Sequence, residues 1–289
     1  MFWKKIKTIV ILMKRIDLSN ATFIVPIRLE SNDRLRNVIT SLCYILANFK
    51  TNIIVHEVDS ESVFVESALP QITEFLDGNI EGLEHVFEQS DSPAFHRQRV
   101  LNDMIIKSTT KVVVNYDCDI ILPKDVYRHA YEIINNDHAD IIYPYGDGNW
   151  QYQVFADDEL VTEFLTNDFD MKILNKKSKV YMSKYGFCQF FNRSVYIEGG
   201  LENENFVAYA PEDVERYHRF TTLGYRVGRV PNWVYHLEHA RTPNSWVNNP
   251  HMAENNAEWE KIQAMKPDEL RTYITNQEYY LKRLCQIKK

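Results

Sequence analysis

Two aspartates separated by one residue follow a valine-rich run in the first half of the chain. Asp117 and Asp119 come directly after Lys111–Tyr116, whose continuous β-branched content predicts a buried strand. In an open α/β sheet, ligands bind at the carboxyl ends of the strands. Mg²⁺ and Mn²⁺ bind a few carboxylates together with phosphate oxygens. This DxD pattern predicts a cation site that would neutralise charge on a departing diphosphate, with a structural turn as the alternative.

Two histidines three residues apart lie near the end of a later predicted strand, Trp233–His236. The aspartate pair supplies only part of a coordination sphere, and a further protein ligand would complete it. We favour His239 as that ligand and keep His236 as the alternative. The competing interpretation is a structural histidine whose ring nitrogens are satisfied by hydrogen bonds.

A second acidic pair opens a segment with helical spacing of its apolar residues. Glu212 and Asp213 would lie at the amino end of this helix, where backbone N–H groups favour anions. Either the two residues only cap the helix, as acidic residues do routinely, or one of them takes a proton from a substrate hydroxyl. The residues alone leave both interpretations open.

Basic and aromatic side chains supply further candidates. A guanidinium group binds phosphate through two hydrogen bonds, so Arg28, Arg97 and Arg99 are candidate contacts for a diphosphate or ribose, with surface charge as the alternative. Trp150 follows a glycine-rich turn and could stack on a sugar ring. The polar segment 242–249 is typical of a mobile lid over a bound substrate.

The elements that must position these residues alternate along the chain. Apolar runs predict strands at Thr22–Ile27, Asn52–Val58, Lys111–Tyr116 and Asp140–Pro144, and helical spacing predicts helices at Leu35–Phe49, Phe95–Ser108 and Asp125–Asn135. This alternation is typical of a parallel sheet covered by helices.

After residue 150 the segments are shorter and rich in aromatics, with late strands at 225–230 and 233–236. No linker separates the halves, so we predict a single domain over residues 20–262, with a nucleotide-binding half (20–145) and an acceptor and catalytic half (146–262).

Composition narrows the class of protein. The 289 residues are 45% hydrophobic and 25% charged, which is ordinary for a globular protein. The net charge of −7 argues against a general nucleic-acid binder. The four cysteines are too far apart for a zinc motif and are typical of a reduced, intracellular protein, so we expect a cytoplasmic location.

Basic residues concentrate at both ends of the chain. Residues 1–19 form a basic extension, and residues 263–289 form a basic segment in which Asp268–Lys289 predicts one helix. Basic ends on an acidic body indicate peripheral contact with anionic lipid on the inner face of the cell membrane. Packing of the final helix on the body is the alternative. The apolar run Ile9–Met13 is too short to span a bilayer.

Taken together, the ordered motifs over residues 20–262 resemble the inverting glycosyltransferases of the GT-A fold, in particular family 2 and the related β-1,4-galactosyltransferase-like domains. The segments that carry the resemblance are Phe23–Arg28, Val58–Ser60, Phe95–Asn102, Asp117–Asp119, Gly186–Gly200, Ala210–Asp213 with Arg216, and His236–Arg241. The resemblance implies an α/β fold with a Rossmann-like, mostly parallel central sheet flanked by helices. Two segments depart from the family pattern: the second strand leaves either Glu57 or Asp59 to meet the nucleoside, and Tyr209-Ala-Pro replaces the usual Gly-Trp-Gly.

The same resemblance implies a role for each matching residue. The nucleotide-sugar contacts would be Pro26, Arg28, Glu30, Asp59, Arg97, Arg99, Asn102, Asp117 and Gly186. The metal ligands would be Asp117, Asp119 and His239 or His236, holding Mn²⁺ or Mg²⁺. Asp213 would be the catalytic base and Glu212 the second catalytic residue, and the acceptor would meet Trp150, Glu212 and Arg216.

The function that the resemblance implies is transfer of a hexose from a UDP-sugar, with galactose or N-acetylgalactosamine preferred. The acceptor would be a glycan or a polyprenyl-diphosphate-linked glycan in synthesis of a bacterial surface polysaccharide such as a capsule. One alternative is a sugar-1-phosphate nucleotidylyltransferase, but residues 20–40 lack the glycine-rich phosphate loop of such enzymes. The other is a non-catalytic nucleotide-binding module used in complex assembly.

Overall fold

A largely parallel sheet occupies the centre of the molecule. The structure, a computed structural model, describes residues 14–246 and 248–287. Its strands are β1 (Ile16–Ile27), β2 (Phe49–Asp59), β3 (Leu83–Gln89), β4 (Val112–Tyr116), β5 (Ile120–Ile121), β6 (Ile141–Tyr143), β7 (Gly148–Val154), β8 (Ser178–Ser183), β9 (Cys188–Asn192), β10 (Val227–Arg229) and β11 (Val234–Leu237). Seven of them form the central sheet in the order β10-β6-β9-β4-β1-β2-β3.

Strand direction in this sheet determines where the functional residues meet. β9 runs antiparallel to both of its neighbours, and the other pairs of adjacent strands run parallel. The carboxyl ends of β1, β2 and β4 therefore lie at one edge, together with the beginning of β9. All five residues of β4 are buried, as expected for a central strand covered on both faces. The predicted mostly parallel α/β sheet is confirmed.

A second, four-stranded sheet has the order β5-β11-β7-β8. β11 pairs parallel with β7 and antiparallel with β5, the short strand that begins one residue after Asp119. The backbone N–H of Leu237 also donates to the carbonyl of Asp119, over 2.8 Å. These bonds bring the chain around His236 next to the DxD segment.

Helices cover the central sheet and extend to the C-terminus. They are α1 (Asn32–Asn48), α2 (Leu69–Phe75), α3 (Arg97–Lys107), α4 (Lys124–Asn135), α5 (Asp158–Thr166), α6 (Met171–Asn175), α7 (Arg193–Glu198), α8 (Glu212–Thr222), α9 (Met252–Gln263), α10 (Pro267–Thr275) and α11 (Glu278–Ile287), with a π-helical turn at Phe64–Ala68 and a 3₁₀ turn at Pro243–Ser245. α1 shows why the local sequence is helical: Ser31 caps its first turn, and Val38, Leu42 and Ile45 are buried on one face. No helix in the described ranges is long and apolar enough to cross a membrane.

The C-terminal segment differs from its prediction. Two helices, α10 and α11, replace the single predicted helix, because α10 ends at Thr275, with Asn276 as its C-cap, and α11 begins at Glu278. Leu270 and Ile274 of α10 pack with Phe206 in a second hydrophobic cluster. Tyr280 of α11 packs in the main hydrophobic core, so the two helices bury their apolar residues against different clusters.

The side chain of Arg283 points into the protein. It is 6% exposed and forms ion pairs with Asp103 of α3 and with Glu204. Arg283 therefore does not belong to a basic surface, although its sequence position suggested one. Residues 1–13, which carry most of the predicted basic extension, and Lys288 and Lys289 lie outside the described residues.

Candidate active site and metal centre

A pocket of about 320 Å³, lined by many charged side chains, opens at the carboxyl edge of the central sheet. A volume of this size lies at the lower end of the range for small-molecule sites. Its lining includes ten of the residues singled out in the sequence: Pro26, Arg28, Glu30, Arg97, Asp117, Asp119, Gly186, Asp213, His236 and His239. These residues come from both halves of the chain, so the pocket is formed where the two halves meet.

Asp119, His236 and His239 form a compact cluster in this pocket. One ligand atom from each side chain lies within 4.8 Å of the other two. The Nε2 atom of His239 is 3.3 Å from Oδ2 of Asp119, and Nε2 of His236 is 3.7 Å from the same oxygen. One carboxylate and two imidazoles are a donor set that could hold a divalent cation. Both histidines, which the sequence left as alternatives, are members of the cluster.

Opposite charges in the cluster alter the protonation of its members. Burial alone would raise the pKa of the Asp119 carboxyl, but His236 and His239 outweigh burial and hold this pKa well below its usual range. Burial alone would lower the pKa of His236, but the charge of Asp119, supported by Glu238, raises that pKa to about 9. Without a cation, His236 therefore carries a proton at neutral pH.

Asp117 points to a different partner. Its carboxylate forms an ion pair with Arg97 of α3, and the same guanidinium donates to the side-chain oxygen of Asn115 over 3.2 Å. Asp117 is not part of the three-residue cluster. Its backbone N–H donates to the carbonyl of Phe187, which ties the DxD segment to the chain entering β9. The two aspartates thus have separate environments, one beside an arginine and the other beside two histidines.

Asp213 faces the pocket from the first turn of α8. Arg216, one turn further along, donates to its Oδ1 over 2.8 Å. Arg216 is itself fully buried and bound through two hydrogen bonds, of 2.6 and 2.7 Å, to the carboxylate of Glu202. Tyr196 also donates to Glu202. This buried network fixes the side chain of Arg216, which in turn orients Asp213.

The neighbouring acid, Glu212, differs from Asp213 in its hydrogen bonding and its pKa. It is 8% exposed, and its Oε2 atom is buried without a hydrogen-bond partner. Burial, with a smaller effect from the charge of Asp213, raises the pKa of Glu212 to about 8. The pair therefore combines a protonated carboxyl at position 212 with an arginine-bound carboxylate at 213.

Gly186 leaves room for the Asp213 carboxylate. A Cβ atom at position 186 would lie 3.0 Å from Oδ2 of Asp213, which is closer than ordinary packing allows. The Gly186 carbonyl accepts hydrogen bonds from Tyr145 and from the side chain of Gln189. Gln189 also accepts a hydrogen bond of 3.5 Å from Arg216. The same glutamine therefore contacts both the Gly186 carbonyl and the arginine that orients Asp213.

The predicted lid is held by hydrogen bonds to the amino-terminal half. Glu30 accepts from the hydroxyl of Thr242 and from the amide of Asn244, both over 2.8 Å. Asn244 also accepts from the backbone N–H of Phe95. Arg28 donates to the carbonyls of Val58, Ser92 and Pro93, so most of its donors are already used by the protein.

Six predicted site residues are absent from the pocket lining: Glu212 and Arg216, described above, and Asp59, Arg99, Asn102 and Trp150. Asp59 accepts from the backbone of Ser60, and Arg99 forms ion pairs with Glu88 and Asp103. Asn102 is buried and exchanges hydrogen bonds with the backbone of Glu202 in both directions. Trp150 packs against Trp233, with 5.4 Å between ring centroids. Their predicted contacts with substrate remain predictions.

The sequence did not identify several residues that line the pocket or that hold its side chains in place. Arg34, Lys184 and Tyr209 line the pocket, Glu238 contacts His236, which lines it, and Glu202 binds Arg216, which orients Asp213. Tyr209 and Glu238 lie within segments that the family resemblance already covered, so their positions offered a signal. Nothing local marks Arg34, Lys184 or Glu202, because their roles depend on partners distant in sequence.

Removing the carboxylate of Glu202 should destabilise the protein strongly. The Glu202→Gln variant leaves Arg216 buried without its full countercharge, and breaking a buried ion pair costs about 3–5 kcal/mol. Urea unfolding monitored by circular dichroism measures this loss. The matched control is Glu132→Gln, whose ion pair with Arg128 is half exposed and should change stability by about 0–1 kcal/mol. A loss under 1 kcal/mol in Glu202→Gln would contradict the role given to this network.

The metal-free protein should lose stability as pH rises from about 6.5 to 9. His236 has a folded-state pKa above its unfolded value of 6.5, so its stabilising effect is complete below pH 6.5 and is lost as pH rises through about 9. The raised pKa of Glu212 acts in the same direction, because ionising this buried carboxyl as pH rises through about 8 is unfavourable. Thermal unfolding in the presence of a chelator tests the prediction. Unchanged stability from pH 6.5 to 9 would be inconsistent with it.

Comparison with known proteins places this fold in a class. No protein-family model matches the sequence, and no curated protein matches it. The structure is similar to the mannosyltransferase PcManGT from Pyrobaculum calidifontis, solved with GDP-Man and Mn²⁺, at 15% identity over 93% of this chain and 72% of that one, with a TM-score of 0.51. It is also similar to GalNAc-T7, solved with UDP, GalNAc and Mn²⁺, at 13% identity over 88% of this chain and 49% of that one, with a TM-score of 0.54. The chain thus spans about half the length of GalNAc-T7.

The fold is that of the GT-A glycosyltransferases, as predicted. Both neighbours are solved with Mn²⁺, and this chain has an Asp/His/His cluster that could hold such an ion. Assignment to family 2 or to the β-1,4-galactosyltransferase-like group remains a prediction.

Proposed function

We propose that this protein is a metal-dependent glycosyltransferase that moves a hexose from a nucleotide sugar to a hydroxyl group with inversion at the anomeric carbon. The observation that carries the proposal is the composition of a single pocket. Its lining contains the Asp119–His236–His239 cluster, the Asp117–Arg97 ion pair and the Asp213 carboxylate. Such a pocket could bind a diphosphate at one end and activate a hydroxyl at the other.

The chain's own residues account for the chemistry of the acceptor. Asp213 takes the proton of the attacking hydroxyl, and Arg216 keeps its carboxylate oriented. The bond that forms joins the acceptor oxygen to the anomeric carbon, and the bond that breaks joins this carbon to the diphosphate oxygen. Arg97 offers a positive charge on the side of the departing phosphate. A divalent cation, when bound, neutralises the charge that develops on the diphosphate.

The donor set of the cluster favours Mn²⁺ over Mg²⁺. Asp119 supplies a carboxylate oxygen, whereas His236 and His239 supply imidazole nitrogens. Mg²⁺ prefers oxygen ligands, and a transition-metal ion binds more readily to a site with two nitrogens. These three residues would hold the ion, leaving other coordination positions for phosphate oxygens.

The identity of the donor is a finer part of the proposal. We propose a UDP-hexose, with galactose or N-acetylgalactosamine as the sugar. The neighbour solved with UDP and GalNAc supports this choice, whereas the neighbour solved with GDP-Man makes a guanosine donor the main competitor. We propose that Glu212, whose Oε2 atom has no hydrogen-bond partner in the protein, donates a hydrogen bond to an acceptor oxygen.

The acceptor and biological setting are proposed from the sequence resemblance. We propose a glycan or polyprenyl-diphosphate-linked glycan in bacterial surface-polysaccharide synthesis, with the protein in the cytoplasm and in peripheral contact with the inner face of the membrane. Within the described residues, half-exposed Leu281 beside Lys282 offers an apolar and basic surface for that contact. Sedimentation with anionic liposomes tests this point, and the absence of salt-sensitive binding would contradict it.

A screen of nucleotide sugars tests the activity itself. The purified full chain is incubated with UDP-, GDP- and dTDP-sugars with Mn²⁺, with Mg²⁺ and with a chelator, and release of the nucleoside diphosphate is measured. We expect release from one UDP-hexose that requires the metal, and NMR of the product should show an inverted anomeric configuration. Absence of release from every donor, with or without glycan acceptors, would refute the proposal.

A further inference from the structure

The two histidines of the metal cluster are held by different acceptors. The Nδ1 atom of His239 lies 2.8 Å from the backbone carbonyl of Ala240. The Nδ1 atom of His236 lies 2.7 Å from Oε1 of Glu238. A hydrogen on Nδ1 would satisfy the acceptor of each ring, and Nε2 is the atom directed at Asp119. Neutral rings with this tautomer present the Nε2 lone pair to a cation.

Glu238 is itself firmly placed. It follows β11 directly, and its backbone N–H donates to the carbonyl of Val154 over 2.9 Å. Its second carboxylate oxygen accepts from Arg241 over 3.3 Å. The side chain is 17% exposed, so water competes little for the oxygen that faces His236. Glu238 is therefore a carboxylate held in a fixed position, and one of its two oxygens contacts His236.

A carboxylate has a stronger effect on an imidazole than a backbone carbonyl has. Hydrogen bonding from a ligating histidine to a carboxylate fixes the ring orientation and tautomer and makes the metal-bound nitrogen more basic. His236 has such a partner, whereas His239 has only a peptide carbonyl. The difference in partners predicts that His236 is the more strongly polarised of the two ligands.

We propose that Glu238 is a positioning residue that prepares His236 to bind the catalytic cation. This inference rests on the proposed metal-dependent function, because it assigns Glu238 a role only if the cluster binds metal. Glu238 does not line the pocket and would not touch the substrate. Its effect would be exerted wholly through the imidazole of His236.

The test is the affinity of the full chain for Mn²⁺ without nucleotide, measured by isothermal titration calorimetry and by the EPR signal of free Mn²⁺. Loss of an outer partner of a metal ligand typically lowers metal affinity about 10–100-fold, and we expect a loss in this range for Glu238→Ala. Glu238→Gln keeps an acceptor for Nδ1 but removes the charge, so its loss should be smaller. This partial rescue is a result that a merely structural role would not produce.

The controls separate failure of this inference from failure of the proposed function. Glu163→Gln makes the same substitution in an exposed ion pair with Lys176 and should bind Mn²⁺ as the wild type does. If the wild type does not bind Mn²⁺, the metal-dependent function fails and the role of Glu238 fails with it. If the wild type binds Mn²⁺ and folded Glu238→Gln and Glu238→Ala bind it equally well, only the inference about Glu238 is overturned.

Discussion

The Asp213→Asn variant should lose nearly all glycosyl transfer while retaining its fold and its donor site. An amide cannot accept the proton of the attacking hydroxyl, and a positioned general base contributes about 10²–10⁴-fold to the rate. We therefore expect kcat to fall by roughly this factor, with little change in the KM for the donor. Steady-state kinetics of diphosphate release in the presence of acceptor measures the effect.

The geometry explains why this substitution should be selective. Arg216 retains its two hydrogen bonds to Glu202 when the charge at position 213 is removed, so no buried cation is left unpaired. The matched control is Asp125→Asn on α4, where the side chain is 84% exposed. Transfer by Asp213→Asn at the rate of this control would remove Asp213 as the base. A parallel loss of donor binding would instead indicate that Asp213 holds the donor.

The Asp119→Ala variant should lose the response of the protein to metal. Asp119 supplies the only carboxylate of the cluster, and its removal leaves two imidazole ligands and no carboxylate to offset the charge of a divalent ion. At 100 times its dissociation constant, a ligand stabilises a folded protein by about 2.7 kcal/mol. For a chain of this size, this corresponds to a rise in melting temperature of roughly 5–10 °C. We expect that rise in the wild type with Mn²⁺ and UDP, and none in the variant.

Thermal unfolding with and without chelator measures this difference. Asp125→Ala, at the same exposed position as before, should show the full rise on adding Mn²⁺ and UDP. A rise of wild-type size in Asp119→Ala would show that the metal binds elsewhere. Diphosphate release should likewise be retained in Asp125→Ala and lost in Asp119→Ala. Loss of the cation removes the charge that stabilises the leaving group.

Much of the fold can be predicted from short-range pattern. The β-branched runs around Ile24, Val55 and Val113 became central parallel strands, since such runs are stable only when both faces of a strand are covered. β1 begins at Ile16, six residues earlier than predicted, because Ile16 and Asp17 pair with the start of β2 beyond an irregularity in the register. The central position of β9 had no local signal, because strand order depends on distant pairings.

The candidate site, like the fold, could be predicted only in part from the sequence. The sequence placed Asp117 and Asp119 at the end of a strand and Asp213 at the start of a helix, and all three line one pocket. It did not separate the two aspartates, because their identical side chains and single-residue spacing contain no information about neighbours. In the structure, Arg97 lies beside one of them and two histidines lie beside the other.

The sequence by itself thus determined the class of fold and the types of side chain available for chemistry. Both follow from local hydrophobic periodicity and from which residues end each strand or begin each helix. Only the tertiary structure decided the partners: Asp119 with the histidines, Arg216 with Glu202, and buried Arg283 with Asp103 and Glu204. Those pairings depend on the approach of segments up to 180 residues apart, as in the contact between Arg283 and Asp103. The physical reason is that a charge finds its partner by distance and desolvation in space, which the order of residues along the chain does not specify.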